Sequence, residues 1–125
     1  MNNPRMTSKE RNALKGAIRR VFSRSDLRKA ALLRVKVEHS DPSRLRVKTW
    51  YYCEYCGELH PQHFLNCDHI DPVIPIYTTF ERMTLDQTAD RTWCEPTNLQ
   101  ILCLTCHGRK STLEKEERKK YKELK

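Results

Sequence analysis

The sequence predicts a small α+β domain carrying a basic helical arm, held together by metal as much as by an apolar core. Three observations lead there. Only 38% of the 125 residues are hydrophobic and 32% are charged, which leaves little material for a large core. Helical periodicity dominates both ends, while the middle alternates and breaks in the manner of strands and loops. Four of the 6 cysteines fall into two Cys-x-x-Cys pairs, Cys53/Cys56 and Cys103/Cys106.

Along the chain, Thr7 followed by Glu10 fits a capping box, and Leu14, Ala17, Ile18, Val21 and Phe22 then recur at helical spacing. Ser25-Asp26 reads as a fresh helix start, with Leu27, Ala30, Ala31 and Leu33 on the second helix. One long basic helix over residues 5–37, jointed at Ser23–Ser25, is the alternative. Pro42 marks a break. Residues 45–52 read as a strand running into the first cysteine pair, and Gly57 suits the left-handed turn of a metal knuckle. Residues 64–70 read as a second strand, ended by Asp71-Pro72, and Pro75 keeps the next stretch irregular. A short helix is expected over residues 77–86 and a loop over 87–97, with Trp93 packed inward. A last helix begins near Cys103 and carries Cys106, His107 and Lys110, with Gly108 as a weak point. The charged stretch from Glu114 either forms a separate helix or frays. Residues 1–46 thus form a basic arm, 47–113 the central domain and 114–125 a charged tail.

The net charge of +8 is unevenly spread. Residues 1–49 carry a balance of +10, residues 50–108 one of −6 and residues 109–125 one of +4. Basic ends suit a polyphosphate partner, because each neutralised phosphate releases condensed counterions. An acidic centre suits a site that concentrates a divalent cation. No apolar run approaches the roughly 18 residues of a membrane span, and the amino terminus lacks an apolar signal segment. A soluble intracellular protein is expected, with no membrane partner. Thiols stay reduced there, so the paired cysteines read as ligands of one closed, structural Zn²⁺. Cys67 and Cys94 read as packing residues.

Between and beside those pairs lie Asp68-His69, Asn98 and His107. An imidazole suits proton transfer near neutral pH. Neighbours on a strand point to opposite faces, so Asp68 and His69 reach one site only if the strand ends there, as Asp71-Pro72 suggests. His107 follows a ligand of a full thiolate site and is expected to point away from it, toward Asp68. A carboxylate and an imidazole leave room for water and phosphate on Mg²⁺, Mn²⁺ or Zn²⁺. His60 and His63 read as exposed histidines.

Taken together, CEYCG, CDHIDPV and NLQILCLTCHGRK resemble the HNH nuclease family in its zinc-stapled, phage-type form, over roughly residues 50–112. The resemblance implies a ββα-metal core and a metal-dependent DNA endonuclease. It implies His69 as general base, Asn98 as the residue that pins the loop orienting that base, and His107 with Asp68 as ligands of the catalytic ion. By the same resemblance the products carry a 5′ phosphate and a 3′ hydroxyl. Lys110 is placed to contact phosphate, and Arg109 less well. Arg19, Arg20, Arg24, Arg28 and Lys29 are the expected backbone contacts of the arm, which position DNA without reading its sequence. Both a nicking monomer and a double-strand-cutting dimer are compatible with the chain.

The rivals explain less. A non-catalytic zinc-ribbon module that binds nucleic acid accounts for the cysteines and the charge but leaves Asp68, His69, Asn98 and His107 as coincidences. A zinc deaminase needs His-x-Glu and Pro-Cys-x-x-Cys around an open zinc, and neither is present. A secreted disulfide scaffold is disfavoured by the missing signal segment.

Overall fold

The computed structural model describes residues 3–38 and 49–124. Within them the chain is α+β, as the sequence predicts. Helix α1 (Ser8–Ser23) begins at the expected capping box, with Thr7 accepting from Glu10 N and Glu10 reaching back to Thr7 N. Helix α2 (Asp26–Arg34) starts afresh at Ser25, whose hydroxyl caps Arg28 N. Two helices therefore form rather than one long one. Helical periodicity misplaces parts of the inner face. Val21 is 61% and Leu33 65% exposed, whereas Phe22, Ala31, Leu32 and Val35 enter the core. On α2 the expected Leu27 and Ala31 do face the core, while Ala30 and Leu33 are exposed and Leu32 is buried in their place.

Strands β1 (Lys36–Glu38), β2 (Thr49–Tyr52) and β3 (Leu59–His60) form an antiparallel sheet in that order. The break at Pro42 and the expected strand residues 45–48 lie outside the described residues. Strands β4 (Leu65–His69) and β5 (Leu99–Cys103) form a separate antiparallel hairpin, with Asp68 opposite Gln100 and His69 opposite Leu99. Strand β5 is not among the elements expected from sequence, and its Leu99, Ile101, Leu102 and Cys103 are all buried. A buried run of this kind lacks the alternation that marks a strand in sequence.

Residues 77–97 differ from expectation. A short 3₁₀ turn (Phe80–Arg82) is followed by helix α3 (Leu85–Thr92), so the expected loop is largely helical. Thr84 and Gln87 form its capping box, a signal legible in Thr-Leu-Asp-Gln. Trp93 caps the end of α3 and is 39% exposed rather than packed inward, with its edge against Phe22. Helix α4 (Leu104–Glu123) runs without interruption through Gly108 and the charged tail.

One core joins these parts. Phe22, Ala31, Leu32 and Val35 from α1 and α2 pack with Leu65, Leu99, Ile101 and Leu102 of the hairpin and with Cys53, Cys103 and Cys106. Arg34 strengthens the junction by donating to Glu54 Oε1 at 2.6 Å and to Leu99 O at 2.8 Å. Among the described residues, no helix is long and apolar enough to cross a membrane.

Candidate functional site

Two sites flank the β5–α4 junction. The first is made of sulfur. Gly57 takes φ +77°, the left-handed conformation expected of it, and its N–H closes the turn onto Cys53 O at 2.9 Å. Glu54 locks this turn to β5 twice, donating its N–H to Ile101 O at 2.8 Å and accepting from Ile101 N at 2.9 Å. Cys53, Cys56, Cys103 and Cys106 are thereby gathered with their sulfurs all within 4.8 Å of one another. Cys56 and Cys103 sulfurs lie 3.9 Å apart. The edge of a tetrahedron with metal–sulfur bonds of about 2.3 Å is about 3.8 Å long, so the four thiols fit a metal ion.

Their proton affinities diverge. Burial works against ionisation of Cys53, but the backbone N–H groups of Cys56, Cys103 and Tyr55 outweigh it and bring that thiol down to about 7. Burial, then the neighbouring sulfurs, push Cys106 up to about 12. Crowded thiols that resist ionising together are what a bound cation resolves. Cys56, Glu58 and His60 make a second close set on the rim, sharing Cys56 with the first.

The remaining cysteines behave as expected of packing residues: Cys67 and Cys94 are partly buried against the core, and burial raises the Cys67 thiol to about 11. His63 is exposed as expected, its ring tilted against Phe64, while His60 is half-buried beside Glu58 rather than exposed.

The second site is a cleft of about 650 Å³ whose lining includes Asp68, His69 and His107. All three line it, Asp68 and His69 from the end of β4 and His107 from α4. Asn98 fixes the turn beyond it: its Oδ1 accepts from Asp71 N at 2.8 Å, its Nδ2 donates to Asp71 O at 3.2 Å, and its carbonyl accepts from Ile70 N at 2.8 Å. Arg91 of α3 holds the following stretch through Pro72 O at 2.6 Å and Val73 O at 2.8 Å, and also pairs with Asp71. Arg118 of α4 completes the clamp by donating to Ile74 O and Pro75 O.

His69 Nε2 lies 2.8 Å from Thr92 O at the end of α3. A carbonyl can only accept, so Nε2 carries a proton, and in the neutral ring Nδ1 keeps its lone pair. The ring also packs against Phe22 at a centroid distance of 5.0 Å. Its tautomer and orientation are therefore set by α3 and α1.

Asp68 has an 11% exposed side chain with its two oxygens in different circumstances. Oδ2 accepts from Gln100 Nε2 at 2.9 Å and pairs with Lys110 Nζ at 3.0 Å. Oδ1 faces His107 Nε2 across 3.8 Å. A carboxylate oxygen and an imidazole nitrogen are both ligand types for a divalent ion, and this gap is shorter than two metal–ligand bonds of about 2.1 Å laid end to end. His107 turns away from the sulfur site toward Asp68, as helical geometry predicts.

Lys110 differs from the expectation of a phosphate-facing side chain. It turns inward to Asp68, to His69 O at 3.0 Å and to Glu114. Burial lowers its proton affinity, but the hydrogen bonds to Glu114 and Asp68 outweigh burial and raise it overall. The structure thus adds Gln100, Glu114 and the Thr92 carbonyl to the residues singled out from sequence. Glu114 was legible, because His107, Lys110, Ser111 and Glu114 share one helical face. Gln100 and Thr92 required knowledge of the β4–β5 register and of α3.

The arm divides in two. Arg19 and Arg28 line the cleft. Arg20 and Arg24 line a separate groove beside Trp93, while Lys29 and Arg109 are exposed away from both. Comparison with family models, curated proteins and solved structures gives no match for this chain.

Proposed function

We propose that this protein is a metal-dependent DNA endonuclease of the HNH kind, with a structural zinc in the four-cysteine site. The observation that carries the reading is that Asp68, His69 and His107 all line one cleft, with Asn98 bracing the turn behind His69. Phosphodiester hydrolysis needs a base, a counter-charge and a way to hold the substrate. His69 takes the proton of the attacking water on Nδ1, while Thr92 O holds the opposite nitrogen. Asp68 and His107 would hold a divalent ion, Mg²⁺, Mn²⁺ or Zn²⁺, which neutralises charge on the phosphate and on the leaving oxygen. Lys110 and Gln100 fix Asp68 by one oxygen and leave the other for that ion. Asn98 keeps the strand end, and with it the base, in register. DNA is the proposed partner, held chiefly through its backbone.

The test is nicking of supercoiled plasmid with Mg²⁺ or Mn²⁺. Wild-type protein is expected to nick, chelator to abolish this, and His69→Ala to remove it while fold and bound zinc persist. If wild type and variant retard DNA equally and neither cuts, a non-catalytic zinc-ribbon module replaces this reading.

A further inference from the structure

The α1 face toward the cleft has a composition that the proposed chemistry leaves unused. Lys15, Ile18, Arg19 and Phe22 all line the cleft, at the i, i+3, i+4, i+7 spacing of one helical face. Ile18 and Phe22 supply the apolar footing, and Phe22 touches His69. Lys15 and Arg19 supply charge at the other end of that face. Arg118 lines the same cleft from α4. Its contacts with Ile74 O and Pro75 O occupy two of its nitrogens, and a guanidinium has five N–H donors.

Three cations thus line one cleft, Lys15 and Arg19 from α1 and Arg118 from α4, and the carboxylates of its lining do not pair with them. Asp68 and Glu114 are the acidic residues in the lining, and both are engaged by Lys110. Among the described residues, neither Lys15 nor Arg19 forms an ion pair within 4.0 Å. Burial and then Arg19 hold the Lys15 ammonium below its ordinary range, Arg118 adds to this, and Glu81 opposes it. Like charges gathered in a concave, partly desolvated place lower their energy by taking an anion.

Resting on the nuclease reading, we propose that Lys15, Arg19 and Arg118 form a subsite for a phosphodiester next to the one that is cut. One polynucleotide strand then lies lengthwise between α1 and the β4–β5–α4 unit. The outward cations Arg20 and Arg24, which face another groove, stand outside this path. The proposal separates two kinds of basic arm: one that attracts DNA by net charge, and one that grips a strand at a place.

The test measures binding of single-stranded oligothymidylate in chelator, so that nothing is cut, at several salt concentrations. Two variants lose the same net charge: Lys15→Gln/Arg19→Gln on the cleft face and Arg20→Gln/Arg24→Gln on the outer face. The cleft variant is expected to bind about tenfold more weakly, and its log–log salt slope to flatten by about 1.4 for two lost contacts. The outer variant is expected to change affinity by less than about twofold, since exposed charges are screened. Thermal melts of both should match wild type. Equal losses in the two variants, or a wild type that does not bind the strand in chelator, would overturn the subsite. A protein that fails here yet nicks plasmid keeps the nuclease reading. One that shows this binding pattern and never cuts keeps the subsite and ends the nuclease reading.

Discussion

Cys106 and His107 are neighbours in sequence and belong to opposite regimes. The sulfur knuckle that receives Cys106 is built from the tight Cys53–Gly57 turn, tied by Glu54 to β5, and from the β5–α4 junction. The cleft that receives His107 is built from α1, the end of β4, the 72–74 stretch, α3 and α4. A site closed by short spacings stands or falls as one unit. A site drawn from many elements can lose one group and keep its shape. Damage to the knuckle should therefore be global, and damage to the cleft local.

The largest effect is expected from Cys103→Ser. Structural four-ligand zinc binding contributes about 10–16 kcal/mol in small domains, so this variant should lose both its metal and its cooperative melt by circular dichroism. A folded, metal-loaded variant would erase the contrast between the two regions. Next, His69→Ala should lower the initial nicking rate by about 10²–10⁴-fold with the melt and zinc content unchanged. Co-loss of zinc would mean that the regions are not separable.

Asn98→Ala sharpens the comparison from the cleft side. It removes two hydrogen bonds to Asp71, each worth about 1 kcal/mol. Denaturant unfolding should show a loss of about 1–2 kcal/mol, and nicking should slow while zinc stays bound. The smallest effect concerns Lys110, whose proton affinity is raised overall in the fold. Its contribution is fully present below the unfolded lysine pKa of about 10.4 and lost as pH rises through the higher folded value. The stability gap between wild type and Lys110→Met should stay flat from neutrality to about pH 10 and shrink above it. A gap that closes near neutrality would mean that Lys110 is not held as described.

The two regions also differ in how far they could be read from the chain. The knuckle was legible, because Cys-x-x-Cys spacing and Gly57 are local chemistry that needs no fold to interpret. Asp68, His69 and His107 were legible as residue types, and the bend at Asp71-Pro72 foretold that β4 would end beside them. Their supports were not. Thr92 reaches His69 by its carbonyl, which every residue has, so no side chain marks the role. Gln100 meets Asp68 only through the β4–β5 register, and β5 has no alternation to reveal it. For Lys110, helical spacing gives the face and Glu114 on it, but not Asp68, the second carboxylate that draws the ammonium in. The split of the arm into a cleft face and an outer face follows from how α1 packs through Phe22, which periodicity alone does not orient.

Two separate ions at two unlike sites are the central claim, and anomalous diffraction tests it most directly. Crystals soaked in Mn²⁺ should show a peak at the zinc edge among the sulfurs of Cys53, Cys56, Cys103 and Cys106. A distinct manganese peak should lie between Asp68 Oδ1 and His107 Nε2. Manganese that avoids Asp68 and His107, or a single ion serving both places, would contradict it.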